Sequence, residues 1–216
     1  MLGLPKTTEF NKRIPKQKFY GNLSLSPVVK KHFAEQIRII YWRNKIATST
    51  VNLVVGENVK ELQVFEILLN QTELDEAVLT QIDRTLPYHI LFVLTYDDKQ
   101  RACIAYKKAT ASGGYAFKVQ KYYYTDWLPT DKMQLAFAGR SLDAVYENYV
   151  RQIAGNNIET NSKGNLQNDV ERSERKRILQ KQIDDLLAKI RKEVQFNRQV
   201  ELNAEVKKLQ KMLDSV

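Results

Sequence analysis

Leu62-Gln63-Val64-Phe65-Glu66-Ile67-Leu68-Leu69 is apolar on both faces apart from Gln63 and Glu66, and a run of that kind reads as an interior strand. The residues after it decide the fold class. Thr72 with Asp75 three positions on resembles a capping box, and Leu74, Val78, Ile82 and Leu86 recur at spacing four, which predicts a helix over 73–85 ended by Pro87. Tyr88 to Tyr96 is nearly all apolar and predicts a central strand, and Asp97-Asp98-Lys99-Gln100 turns it into a hairpin with Arg101 to Lys107.

Working outward, Ser26-Pro27 supplies an N-cap with proline at the first helical position, and Val29 and Phe33 share a face, so a short helix is expected over 27–36. The β-branched and aromatic runs Ile37–Trp42 and Thr48–Val55 predict two strands before the break at Gly56-Glu57-Asn58. Downstream of Ser112-Gly113-Gly114, residues 115–124 alternate Tyr115, Phe117 and Val119 with Ala116, Lys118 and Gln120, the pattern of a half-buried outer strand. Ser141 caps a last helix bearing Leu142, Val145, Tyr149 and Ile153. The order predicts an α+β domain over 26–154, a mixed or antiparallel sheet flanked by helices.

Residues 1–25 have no regular period and read as a basic N-terminal arm that packs through Phe10, Phe19 and Tyr20. Residues 155–168 are rich in Asn, Gly, Ser and Thr and read as a linker. The tail, 169–216, contains no Gly or Pro and is charged and helical in character. Ile183, Leu187, Ile190 and Val194 form one stripe. Leu202, Val206, Leu209 and Leu213 form a second, turned by about 100° on a straight helix. Either the chain turns near Phe196-Asn197 into a helical hairpin with facing stripes, the favoured arrangement, or one long coiled-coil helix meets different partners along its length. These eight residues are the candidate partner-binding set.

With 43% hydrophobic residues, 8 Gly and 5 Pro in 216 residues, the chain has the composition of a folded protein. One cysteine and two histidines exclude a disulfide framework and a Cys/His zinc site, and point to a reducing, cytoplasmic setting. The N-terminus lacks an apolar signal region, and no apolar run reaches the length of a membrane span. Residues 1–50 hold ten Lys or Arg against two acids. Lys12, Arg13, Lys16 and Lys18 are therefore candidates for weak, sequence-independent contact with nucleic acid, set against a plain solvated surface.

The only Gly pair precedes a strand, so a P-loop is excluded, and no serine elbow occurs. Cys103 lies mid-strand and reads as a buried structural residue, His89 as a satisfied core or rim residue, and Trp127 as packing. The order helix, strands, helix, strand resembles the core of restriction-endonuclease-like nucleases, in which strand carboxylates and often a helix glutamate hold Mg²⁺ with a nearby lysine. Glu35 and Glu66 stand where two such acids would lie. Leu68 occupies the lysine position, so Glu66 reads rather as a buried carboxylate paired with Lys45 or Lys107. No cofactor and no metal site are expected.

Leu4-Pro5, Ile14-Pro15-Lys16 with Phe19-Tyr20, Ile40-Tyr41-Trp42 with Lys45, Gln63–Ile67, Pro87–Phe92, Ala105-Tyr106-Lys107 and Gln195-Phe196-Asn197-Arg198 read together. They resemble the bacterial family catalogued as domain of unknown function 4391 over nearly the whole chain. Members tend to be encoded beside DNA methyltransferases and restriction helicases. The resemblance therefore implies a restriction-modification or phage-defence setting and supplies no catalytic residues. The expectation is a non-enzymatic accessory subunit that binds a methyltransferase, a helicase subunit or its own twin through the tail. The alternatives are a divergent Mg²⁺-dependent nuclease and a weak nucleic-acid-binding protein.

Overall fold

The computed structural model describes residues 2–21, 25–109, 117–159 and 165–216. The Ser112-Gly113-Gly114 break, the strand positions Tyr115 and Ala116, and residues 160–164 of the expected linker lie outside them. The chain divides into two compact units, Met1–Gly155 and Asn156–Val216.

The first unit is built on one mixed sheet. Its strands are β1 (Glu9–Ile14), β2 (Ile37–Ala47), β3 (Glu61–Leu69), β4 (His89–Tyr96), β5 (Lys99–Ala109) and β6 (Phe117–Tyr124), in that spatial order, and the two-residue β7 (Leu128–Pro129) also pairs with β5. All neighbours are antiparallel except β3 and β4. That parallel pair requires a crossover, and α2 (Glu76–Thr85) provides it. Ser26 accepts from Val29 N to start α1 (Pro27–Glu35), and Ser141 accepts from Ala144 N to start α3 (Leu142–Ala154). The cap of α2 is Asp75, which accepts from Ala77 N, so the helix starts three residues later than the Thr72 reading places it.

Period-two alternation divides the strands between two faces. Phe65, Ile67, Ile90, Phe92, Leu94, Cys103 and Ala105 pack with Phe33 of α1 and Val78, Leu79 and Ile82 of α2. The alternate set, Leu62, Val64, Leu91, Val93 and Ile104, is buried as well, and α3 packs on β3, β5 and β6. Burial on both faces explains why β3 and β4 read as unbroken apolar runs. The residues read as an arm supply the edge strand β1, and Phe10 stacks on Trp42 with ring centroids 4.1 Å apart while Phe19 joins the core.

Residues 48–55 are not the second strand that their Thr and Val content suggests. Thr50 Oγ1 donates to Lys45 O at 2.7 Å and accepts from Ala47 N at 3.0 Å, which turns the chain out of β2, and Val54 and Val55 are exposed. The loop is held instead by Asp143 in the first turn of α3, whose carboxylate accepts from Glu57 N at 2.7 Å, Asn58 N at 3.2 Å and Val59 N at 2.7 Å. Gly56 is required there because a Cβ would lie 2.1 Å from Asp143 Oδ1.

The second unit is a pair of helices, α4 (Leu166–Ile190) and α5 (Phe196–Asp214). Ile183 and Leu186 of α4 pack with Leu202 and Val206 of α5, and Leu187, Ile190, Leu209 and Leu213 extend this seam. The two stripes face each other in a hairpin, and the turn falls at 191–195, just before Phe196. Ahead of α4, Glu159 is fastened to it: Glu159 N donates to Ser173 Oγ at 2.9 Å and Lys176 Nζ lies 2.6 Å from Glu159 Oε2.

Candidate functional site

Glu66 lies on β3 between Tyr41 of β2 and Val93 of β4, and its side chain is buried. A register shift between Trp42 and Asn44 leaves Arg43 in a bulge, and bulges re-aim the side chains they carry. Arg43 donates through Nε to Glu66 Oε2 at 2.7 Å, with Nη2 on the same oxygen, while its guanidinium lies 4.2 Å over the Tyr41 ring. Thr95 Oγ1 donates to Glu66 Oε1 at 3.1 Å and Gln100 Nε2 does so at 3.3 Å. Both oxygens are therefore committed, and the counterion is Arg43 rather than Lys45 or Lys107. Lys45 pairs with Glu61 at 3.1 Å, and Lys107 with Asp83 at 2.7 Å.

Glu35 sits at the exposed end of α1, 3.8 Å from Lys31. It does not join the Glu66 network. Among the described residues no group of three or more His, Cys, Asp or Glu side chains could hold a metal ion. The donor set around Glu66, one carboxylate saturated by an arginine, does not fit Mg²⁺, which needs carboxylate oxygens free to coordinate.

The four basic candidates are dispersed. Lys12 pairs across the ladder with Trp42 and Arg13 with Tyr41, so successive side chains point to opposite faces of the edge strand. Lys12 Nζ lies 4.4 Å over the Phe10 ring. Lys16 donates to Ile37 O at 2.7 Å and Ala34 O at 3.3 Å, and partial burial lowers its pKa. Lys18 is exposed. Cys103 is buried and its thiol is pushed well up by that burial, which leaves no reactive thiolate. Trp127 packs against the core, with the Arg101 guanidinium 5.5 Å from its ring.

A cluster that the sequence reading missed lies where α2, β5 and β6 meet. The Lys107 side chain is 2% exposed and that of Asp83 0%, and they form an ion pair of 2.7 Å. Tyr122 OH donates to Asp83 Oδ2 at 2.5 Å, and Lys107 Nζ donates to Tyr88 O at 2.9 Å. Burial pushes the Asp83 carboxyl up and Lys107 draws it back down, while burial and Asp83 together raise Tyr122. On the other face His89 sits between Phe117 and Tyr146, ring centroids 4.6 and 4.4 Å away, and burial reinforced by the Lys107 charge lowers its pKa to about 3. Asp83, Lys107 and Tyr122 line a cleft of about 860 Å³ with Arg84, Phe117 and Lys118.

The hairpin carries the eight partner-binding candidates. Seven of them, Ile183, Leu187, Ile190, Leu202, Val206, Leu209 and Leu213, lie in the seam between α4 and α5. Val194 is in the turn and 94% exposed, and Phe196 at 76% and Val200 at 52% stand beside it. Phe196 and Val200 are one helical turn apart on α5, about 120° and 160° around the helix from Leu202, and both stand outside the seam. No helix among the described residues is long and apolar enough to cross a membrane.

A family model described as Domain of unknown function (DUF4391) matches residues 2–213. No curated protein and no solved structure matches the chain.

Proposed function

Because the chain belongs to the DUF4391 family, whose description assigns no chemistry, we propose its role from its own surfaces: a non-enzymatic accessory subunit that docks on a protein partner through the closed end of its tail hairpin. The observation that carries this reading is the cluster Val194, Phe196 and Val200, exposed at the end of a hairpin whose seam residues already satisfy one another. Outward apolar side chains gathered at one spot, with an aromatic at the centre, are the usual anchor of a protein interface. Exposed Lys189, Arg191 and Lys192 flank the spot and outnumber Glu193, whose Oε1 accepts from Val194 N and Gln195 N. The fitting partner surface is therefore an apolar groove rimmed with acids.

The setting in which members of this family are expected, the bacterial cytoplasm beside a DNA methyltransferase or a restriction helicase, makes one of those subunits the first partner to try. Co-expression of the chain with each neighbouring subunit tests the reading. The wild type should copurify with one of them, and Val194→Ser/Phe196→Ser/Val200→Ser should not, with its helical content unchanged because none of the three lies in the seam. Retention of the complex by that variant refutes docking through the tip.

A further inference from the structure

We propose that the cleft between α2 and β6 binds a small phosphorylated ligand with a flat ring body, a molecule of the size and chemistry of a nucleoside diphosphate. A volume of about 860 Å³ falls within the range of small-molecule sites. The charges on its walls are unequal in availability. Of its two acids, Asp83 is compensated by Lys107 and Tyr122, while Glu76 stays an exposed carboxylate whose Oε2 accepts from Tyr124 OH at 3.0 Å. Arg84 of α2 and Lys118 of β6 line the same cleft from opposite sides, and both are exposed. Two cations on facing walls against one uncompensated carboxylate leave the cleft with a net positive charge, which favours an anion.

The remainder of the lining suits a ring. Pro87, Phe117 and the Tyr122 ring give flat apolar surface, against which a planar body can stack while its phosphates reach the two cations. The floor is rigid, because Tyr122 and Lys107 are each tied to Asp83, and Lys107 is tied further to Tyr88 O. A fixed floor with movable cations at the rim positions a ligand at low ordering cost.

Calorimetric titration of the full chain at low and moderate salt tests this, with ADP as the probe and adenosine and inorganic pyrophosphate as comparisons. ADP should bind, weaken as salt rises, and bind at least tenfold more tightly than adenosine or pyrophosphate. Arg84→Gln/Lys118→Gln should lose roughly tenfold or more in ADP affinity with an unchanged unfolding midpoint, since both side chains are exposed. Lys207→Gln/Lys208→Gln, an equal charge change on α5, should bind ADP as the wild type does. Absence of ADP binding, equal affinity for adenosine and ADP or for pyrophosphate and ADP, or equal affinity of the wild type and Arg84→Gln/Lys118→Gln overturns the proposal.

Discussion

Lys107 and Asp83 are the residues on which the first unit is most exposed to single changes. Both side chains are almost wholly inaccessible, so removing one strands the other as an uncompensated buried charge. Lys107→Met should cost about 3–5 kcal/mol in denaturant unfolding, and Lys107→Met/Asp83→Leu should recover much of that loss. Glu66→Ala should cost less, about 2 kcal/mol, because Arg43 is part exposed and can turn to water. His89 sets a pH dependence. In the unfolded chain it takes up a proton near pH 6.5, whereas in the fold it stays neutral down to about 3. The unfolded state therefore binds more protons throughout that window. Stability contributed by neutral His89 is complete above about pH 6.5 and is lost progressively, by up to about 1.4 kcal/mol per pH unit, as the pH falls toward 3. Burial also raises the Asp83 carboxyl, and a raised carboxyl acts in the opposite sense, adding stability as the pH falls through its folded value. Comparing urea unfolding of the wild type and His89→Gln between pH 7 and 4 isolates the histidine, and the variant should show the shallower loss on the acid side.

At the scale of elements, the hairpin and the loop ahead of β3 fail in different ways. Val206 is buried in the seam, so Val206→Asp should unzip α4 from α5, with loss of helical ellipticity and rapid proteolysis confined to the second unit. Elements marked by local signals were legible in the sequence. Ser26-Pro27 and Ser141 cap the helices that they announce, the 62–69 run is an interior strand, and the two tail stripes, Val194 apart, oppose each other in the hairpin favoured over one long helix. What depended on distant partners was not legible. Thr and Val at 48–55 have the composition of a strand, but Thr50 turns the chain, and Asp143, more than eighty residues away, anchors the loop. The Asp83–Lys107–Tyr122 cluster draws on three elements, and its only sequence trace is a charge beside apolar neighbours: Asp83 after Ile82, and Lys107 at the end of Cys103-Ile104-Ala105-Tyr106. The partner of Glu66 was misassigned because a bulge, invisible in composition, brings Arg43 to it.

Across the whole molecule the basic excess of residues 1–50 remains the feature most suggestive of nucleic acid, yet Lys12 and Arg13 project from opposite faces of β1 and Lys16 is tied to backbone carbonyls. Any DNA binding should be weak and insensitive to sequence. Lys12→Gln/Arg13→Gln/Lys18→Gln should lower the salt slope by no more than about 0.9 for each phosphate contact removed. Lys16→Gln should show its effect as lost stability instead. The central claim is that the chain engages its partner through the hairpin tip. Amide hydrogen exchange of the full chain, with and without the copurifying subunit, tests it most directly. The account predicts new protection concentrated at residues 191–200, with the α4–α5 seam, the edge strand β1 and the α2–β6 cleft unchanged. Protection that falls on those other surfaces while residues 191–200 exchange as freely as before would contradict it.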